Sequence, residues 1–219
     1  MRQVKWKTSI YNTNLIEENS YDDVFEKATA VLLDDGVVLT PTDTVYGLVC
    51  LPRSVRAIND IYMMKQRPSN MKLPIIVADQ AQAENELPLI WNDAARKLAE
   101  AFWPGPLTIA CGVAKNNMQW LAGRDEVGIR APKYPLIQAL AKMHGPLLMT
   151  SANRHGEGVP HTVKGALDSL AFHPRLVIDG GLLSGEPSTL VNVNLPIPVI
   201  ERFGVIPQTE IERVLINVR

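Results

Sequence analysis

Apolar residues recur at helical spacing from Tyr21 to Asp34, where Val24, Phe25, Ala28, Val31 and Leu32 share one face. Asp35-Gly36 ends that pattern, and Ser20 is the expected N-cap. A short apolar run, Val37 to Thr40, predicts a buried strand, and Pro41 turns the chain towards a second one, Leu48 to Leu51. Ser54 to Met64 is helical in spacing, with Ser54 as cap. Leu73 to Ala78 predicts a strand, Asp93 to Phe102 a helix, Leu107 to Val113 and Glu126 to Ala131 strands, and Pro135 to Met143 a helix. Further on come a strand at Leu147–Thr150, a helix near Val163–Leu170, a strand at Leu176–Asp179, a Gly180-Gly181 turn and two final strand patterns. Strands alternate with helices, so the predicted class is α/β. Several links between strands are too short for a crossover helix, which makes the sheet mixed. No repeat or long linker appears, so one domain is expected.

Ligands of open α/β sheets bind beyond strand ends. Three polar loops lie there: Thr42-Asp43-Thr44, Ser151-Ala152-Asn153 and Ser188-Thr189. Their hydroxyls and amides can hold a polar ligand, or simply cap turns. Between the second helix and the Leu73 strand, Lys65, Arg67 and Lys72 fall within eight positions that contain no acid. Pro68 stops the helix, so Lys65 and Arg67 are expected to project from its end. Such a fork suits a triphosphate; it equally suits a solvated helix terminus, where cations complement the dipole. Asp43 has three open uses: a base, a magnesium-shell ligand or a turn cap.

The net charge is −1, from 22 basic and 23 acidic residues, which argues against a non-specific nucleic-acid coat but not against a local basic cleft. Cys50 and Cys111 lie in apolar runs and are expected to be reduced core residues. The four histidines show no zinc spacing, so no protein-held metal is expected; His155 and His161 flank a Gly-rich loop and could approach a ligand. No GxSxG elbow, P-loop or dinucleotide fingerprint occurs. Trp91, Trp103 and Trp120 read as packing residues. No membrane-length apolar run or signal core is present, so a cytoplasmic setting is expected.

The order of motifs resembles one family. PTDTVYGL at 41–48 is followed by KQRP at 65–68, WPGPLT at 103–108, GIRAP at 128–132, TSAN at 150–153 and STLV at 188–191, closed by Arg202-Phe203-Gly204. This is similar to the YrdC-like threonylcarbamoyl-AMP synthases over about residues 22–208. The resemblance implies an N-terminal extension at 1–20, a catalytic domain at 21–208 and a tail at 209–219. It implies a mixed, twisted sheet with helices on both faces, around a large basic cavity. It implies condensation of L-threonine, bicarbonate and ATP to the adenylate with release of pyrophosphate, with Mg²⁺ carried on the ATP phosphates. Downstream tRNA-modification proteins then pass the group to adenosine 37 of tRNA, and weak RNA binding is possible on the same basis. Lys65, Arg67, Ser151 and Asn153 match the catalytic pairs. Thr44, Arg130 and Ser188 match contacts to threonine. Arg67, Lys72, Asn153 and Arg202 match nucleotide contacts. The stretch Met71-Lys72-Leu73-Pro74 looks one residue longer and reordered relative to the pattern, and the chain departs from it at three further places: Ala78 stands where many members carry a histidine, Arg154-His155-Gly156 follows SAN, and Asn192 replaces an aspartate. Two other readings stand beside it: a related enzyme handling a different carbamoyl substrate, and a non-catalytic RNA-binding module.

Overall fold

The apolar stripe of the first helix is buried as its spacing requires: Val24, Ala28 and Leu32 are in the core. The computed structural model describes residues 9–12, 19–115 and 118–216. Most of the extension expected at 1–20 therefore lies outside the described residues. Backbone proximity groups the chain into two compact units. The first takes the described parts of Met1–Pro41, Val45–Met71 and Thr150–Gly185; the second takes those of Thr42–Thr44, Lys72–Met149 and Glu186–Arg219.

In the first unit, strands β1 (Ser9–Asn12), β2 (Val38–Thr40), β3 (Gly47–Cys50) and β8 (Leu176–Asp179) pair in the order β1-β8-β2-β3. The first two pairings are parallel and β2–β3 is antiparallel. Helices α1 (Asn19–Leu33), α2 (Val55–Lys65) and α6 (Val163–Ser169) complete it. The first of these starts earlier than expected, which puts Ser20 inside it. The Ser54 hydroxyl accepts from the Ala57 amide and caps α2, as expected. That helix ends at Gln66, whose φ of 49° is left-handed and reverses the chain two residues before Pro68.

The second unit holds β4 (Ile75–Ile76), β5 (Leu107–Gly112), β6 (Glu126–Arg130), β9 (Thr189–Asn192) and β10 (Val199–Arg202). The start of β7 (Leu147–Ser151) lies in it as well; Thr150 and Ser151 at the end of that strand belong to the first unit. Pairing runs β7-β4-β6-β5-β9-β10, with β4–β6 and β5–β9 parallel and the rest antiparallel. The mixed α/β class therefore holds within each unit. Helices α3 (Gln80–Glu86), α4 (Asp93–Phe102), α5 (Pro135–His144) and α7 (Gln208–Leu215) accompany these strands. The last buries Ile211 and, but for Gln208, falls within the stretch expected as a tail.

The strand expected over 73–78 narrows to two residues. Pro74 has no amide to donate, but its carbonyl accepts from Met149, and the Val77 amide donates to the Arg130 carbonyl. Trp91 and Trp103 meet edge to face at 6.1 Å between ring centroids, the packing use expected of them. Cys50 and Cys111 are buried free thiols, which burial pushes up to about 12.

Candidate active site

Two polar clusters contain nearly all of the residues singled out from the sequence. The first, in the first unit, forms where α2 ends. Lys65 does not project into solvent as expected. Its side chain is almost wholly buried, at 2% exposure, because the left-handed Gln66 ends the helix against the 151–153 loop rather than in water. The ammonium donates to the Ser151 carbonyl at 2.5 Å, the Asn153 carbonyl at 2.6 Å and Asn153 Oδ1 at 3.2 Å. Ser151 Oγ donates to the same Oδ1 at 2.6 Å, and Asn153 Nδ2 donates to the Glu157 carbonyl. Burial first, then the neighbouring Arg67 charge, pull the Lys65 pKa down to about 7. Arg67 is half-buried and reaches Thr150 Oγ1 at 3.5 Å with Nη1, while its Nε donates to the Met71 carbonyl. So Lys65, Arg67, Ser151 and Asn153 are brought together from positions more than 80 residues apart in sequence.

The second cluster, in the second unit, centres on Arg130 at the end of β6. This side chain is 7% exposed. Its Nε donates to the Gly105 carbonyl at 2.9 Å, its Nη1 to Thr44 Oγ1 at 2.9 Å and its Nη2 to Asp43 Oδ1 at 2.5 Å. Asp43 is thus the counter-ion of a buried guanidinium, a use not among the three expected. Its Oδ2 is buried with no hydrogen-bond partner among the described residues. Burial lowers the Arg130 pKa, Asp43 opposes that shift, and the Arg202 charge adds to it. Thr42 and Thr44 share a hydroxyl contact at 3.0 Å. Arg202 grips Ser188 twice: Nε to its carbonyl and Nη2 to its hydroxyl, both at 2.9 Å. Ser188 Oγ also lies 2.7 Å from Thr108 Oγ1. Both Ser188 and Thr108 are buried.

Thr108 and Thr150 were not singled out. A hydroxyl inside the otherwise apolar run LTIACG was the available signal for Thr108. Lys72 is exposed, and His155 and His161 are exposed as well. The His161 ring lies 3.0 Å from the Leu183 carbonyl. At the three departures, Ala78 contributes only backbone, accepting from Gln138 and donating to Gln82; His155 binds the Lys65 carbonyl through its amide; and the Asn192 amide donates to Glu126 and Glu201. An aspartate at 192 would set three carboxylates against one another, so the neutral amide suits this chain. No helix among the described residues is long and apolar enough to cross a membrane.

The Sua5/YciO/YrdC family model, described as "Telomere recombination", matches residues 30–204. The chain belongs to the Sua5/YciO/YrdC family. Among its relatives is a Bacillus subtilis protein named threonylcarbamoyl-AMP synthase, 34% identical over 214 residues; the match covers 95% of this chain and 62% of that protein. A Yersinia pestis protein of the same name is 32% identical over 173 residues, covering 78% of this chain and 89% of its own length. The crystal structure of P. abyssi Sua5 complexed with L-threonine superposes with a TM-score of 0.83 at 30% identity, over 97% of this chain and 62% of that one. E. coli YciO shares the fold, with a TM-score of 0.78 at 24% identity, over 91% of this chain and 97% of that one. The chain thus spans about three fifths of the B. subtilis and P. abyssi proteins.

In this family member the first cluster offers a guanidinium beside hydroxyls and amides, the donor set for phosphate oxygens. The second offers two guanidiniums and one carboxylate, a net charge of about +1 beside the hydroxyls of Thr42, Thr44, Thr108 and Ser188, which suits a hydroxylated carboxylate ligand.

Proposed function

We propose that the chain makes L-threonylcarbamoyl-AMP from L-threonine, bicarbonate and ATP and releases pyrophosphate. The observation that carries this reading is the second cluster. Asp43 balances Arg130, and the charge of Arg202 is left for a substrate carboxylate. Thr44, Thr108 and Ser188 stand in the same cluster to hydrogen-bond a hydroxyl. The names of the relatives, and the threonine bound by P. abyssi Sua5, support the choice of threonine.

ATP is assigned to the first cluster, with Arg67 and the 150–153 loop on its phosphates. The threonine amine and bicarbonate condense to a carbamate with loss of water. A carbamate oxygen then attacks the α-phosphorus and pyrophosphate leaves. This chemistry needs positioning and charge neutralisation rather than a protein nucleophile. Mg²⁺ would enter on the ATP phosphates and offset their charge. Downstream proteins pass the threonylcarbamoyl group to tRNA. Two buried free thiols support a reducing, cytoplasmic setting.

The test is mass spectrometry of the purified protein incubated with ATP, bicarbonate and L-threonine. The expected product is the mixed anhydride of AMP and threonylcarbamate. ATP consumption without that mass overturns the reading.

A further inference from the structure

An ammonium has three N–H donors and no acceptor. At Lys65 all three have a partner inside the protein: the Ser151 carbonyl, the Asn153 carbonyl and Asn153 Oδ1. The backbone of the same residue holds the loop at a further point, since the Lys65 carbonyl accepts from the His155 amide at 2.8 Å. The loop is therefore gripped at Ser151 and Asn153 by a side chain with almost no exposed surface, and at His155 by the backbone of the same residue. Two backbone carbonyls and an amide oxygen converging on one nitrogen form a site for a compact, three-pronged cation. A planar guanidinium could not meet all three from a single atom.

We infer that Lys65 is a positioning residue: its ammonium clamps the 151–153 loop from within, rather than binding a substrate phosphate, and so fixes where Ser151 and Asn153 present their polar groups. The clamp accounts for the 2.6 Å contact between Ser151 Oγ and Asn153 Oδ1: both belong to one locked turn. It also separates the two cations of the KQRP motif. Arg67 acts on the substrate, and Lys65 acts through the loop. The inference rests on the assignment of ATP to this cluster, but its first test needs no substrate.

Amide exchange is measured on the ligand-free protein and on Lys65→Met and Arg67→Ala. In Lys65→Met the Ala152 and His155 amides should exchange faster by about tenfold, the equivalent of one net hydrogen bond lost. In Arg67→Ala they should keep their wild-type rates. Unchanged exchange in Lys65→Met overturns the clamp. The second measurement is a crystal structure of the wild-type protein with a non-hydrolysable ATP analogue, which does not depend on a variant folding. Nζ should stay on the three loop oxygens; Nζ bonded to a phosphate oxygen, with the loop carbonyls released, overturns the inference. Failure of the analogue to bind counts against the ATP assignment, and the exchange data then decide the clamp alone. Steady-state kinetics give the third readout. Lys65→Met should lose kcat with little change in the KM for ATP, because the phosphate contact survives and only its alignment is lost. A rise in KM with kcat intact overturns the positioning role.

Discussion

Arg67 sits where a guanidinium can meet phosphate oxygens: half-buried, beside Thr150, within an acid-free stretch. Arg67→Ala is expected to abolish turnover while leaving the thermal unfolding temperature close to wild type. One lost charge-assisted contact costs about 2–4 kcal/mol of transition-state stabilisation. Initial rates and a melting curve on the same preparation check this, and near-normal turnover removes Arg67 from the site. Its neighbour Lys65 gives a pH signature instead. The folded pKa of about 7 lies below the ordinary lysine value of 10.5. Between those values the unfolded chain holds a proton that the folded chain has released. This group therefore makes stability rise with pH across that window, and below pH 7 the full cost of the buried charge is present. Denaturant unfolding at pH 6 and pH 9 should show wild type gaining stability relative to Lys65→Met at the higher pH. The opposite trend would mean that burial does not dominate at this nitrogen. The sequence marks Lys65 by its motif but not its burial. Its burial depends on a loop more than 80 residues away and on the left-handed Gln66, and neither leaves a local mark.

Among the elements, β8 was legible to the residue, since Leu176–Asp179 is an apolar run between clear breaks. β1 was not, because Ser9–Asn12 is short and its partner lies some 170 residues on. α3 was missed because Gln80–Glu86 has almost no apolar periodicity; the Asp79 side chain on the Gln82 amide and Gln82 on the Ala141 carbonyl hold it in place. The turn after β10 carries a sharper constraint. A Cβ at Gly204 would lie 2.2 Å from the Pro187 carbonyl oxygen and 2.6 Å from the Ser188 carbonyl carbon. Both are backbone atoms, so Gly204→Ala must displace the strand start that carries Ser188. The expected result is a loss of the response to threonine of about tenfold or more, with ATP binding retained. Threonine titration and nucleotide binding on the variant separate the two. Equal loss of both would place the damage elsewhere.

On the scale of the whole chain, a net charge of −1 hides two local clusters of cations, which is why composition spoke only against a nucleic-acid coat. The α/β class was legible because it follows from alternation along the chain. The pairing of Asp43 with Arg130 was not, because the two are 87 residues apart and each reads locally as a turn or a strand end. Ala78 leaves one side-chain partner out of the second unit, so discrimination among small amino acids should be looser than a full set of hydrogen-bond partners gives. The most direct measurement is pyrophosphate release from ATP and bicarbonate with L-threonine, L-serine, L-valine or no amino acid, each at equal concentration. The account predicts the strongest stimulation by threonine, a weaker one by serine and the least by valine, which lacks the hydroxyl. Release that no amino acid raises above ATP and bicarbonate alone would contradict it.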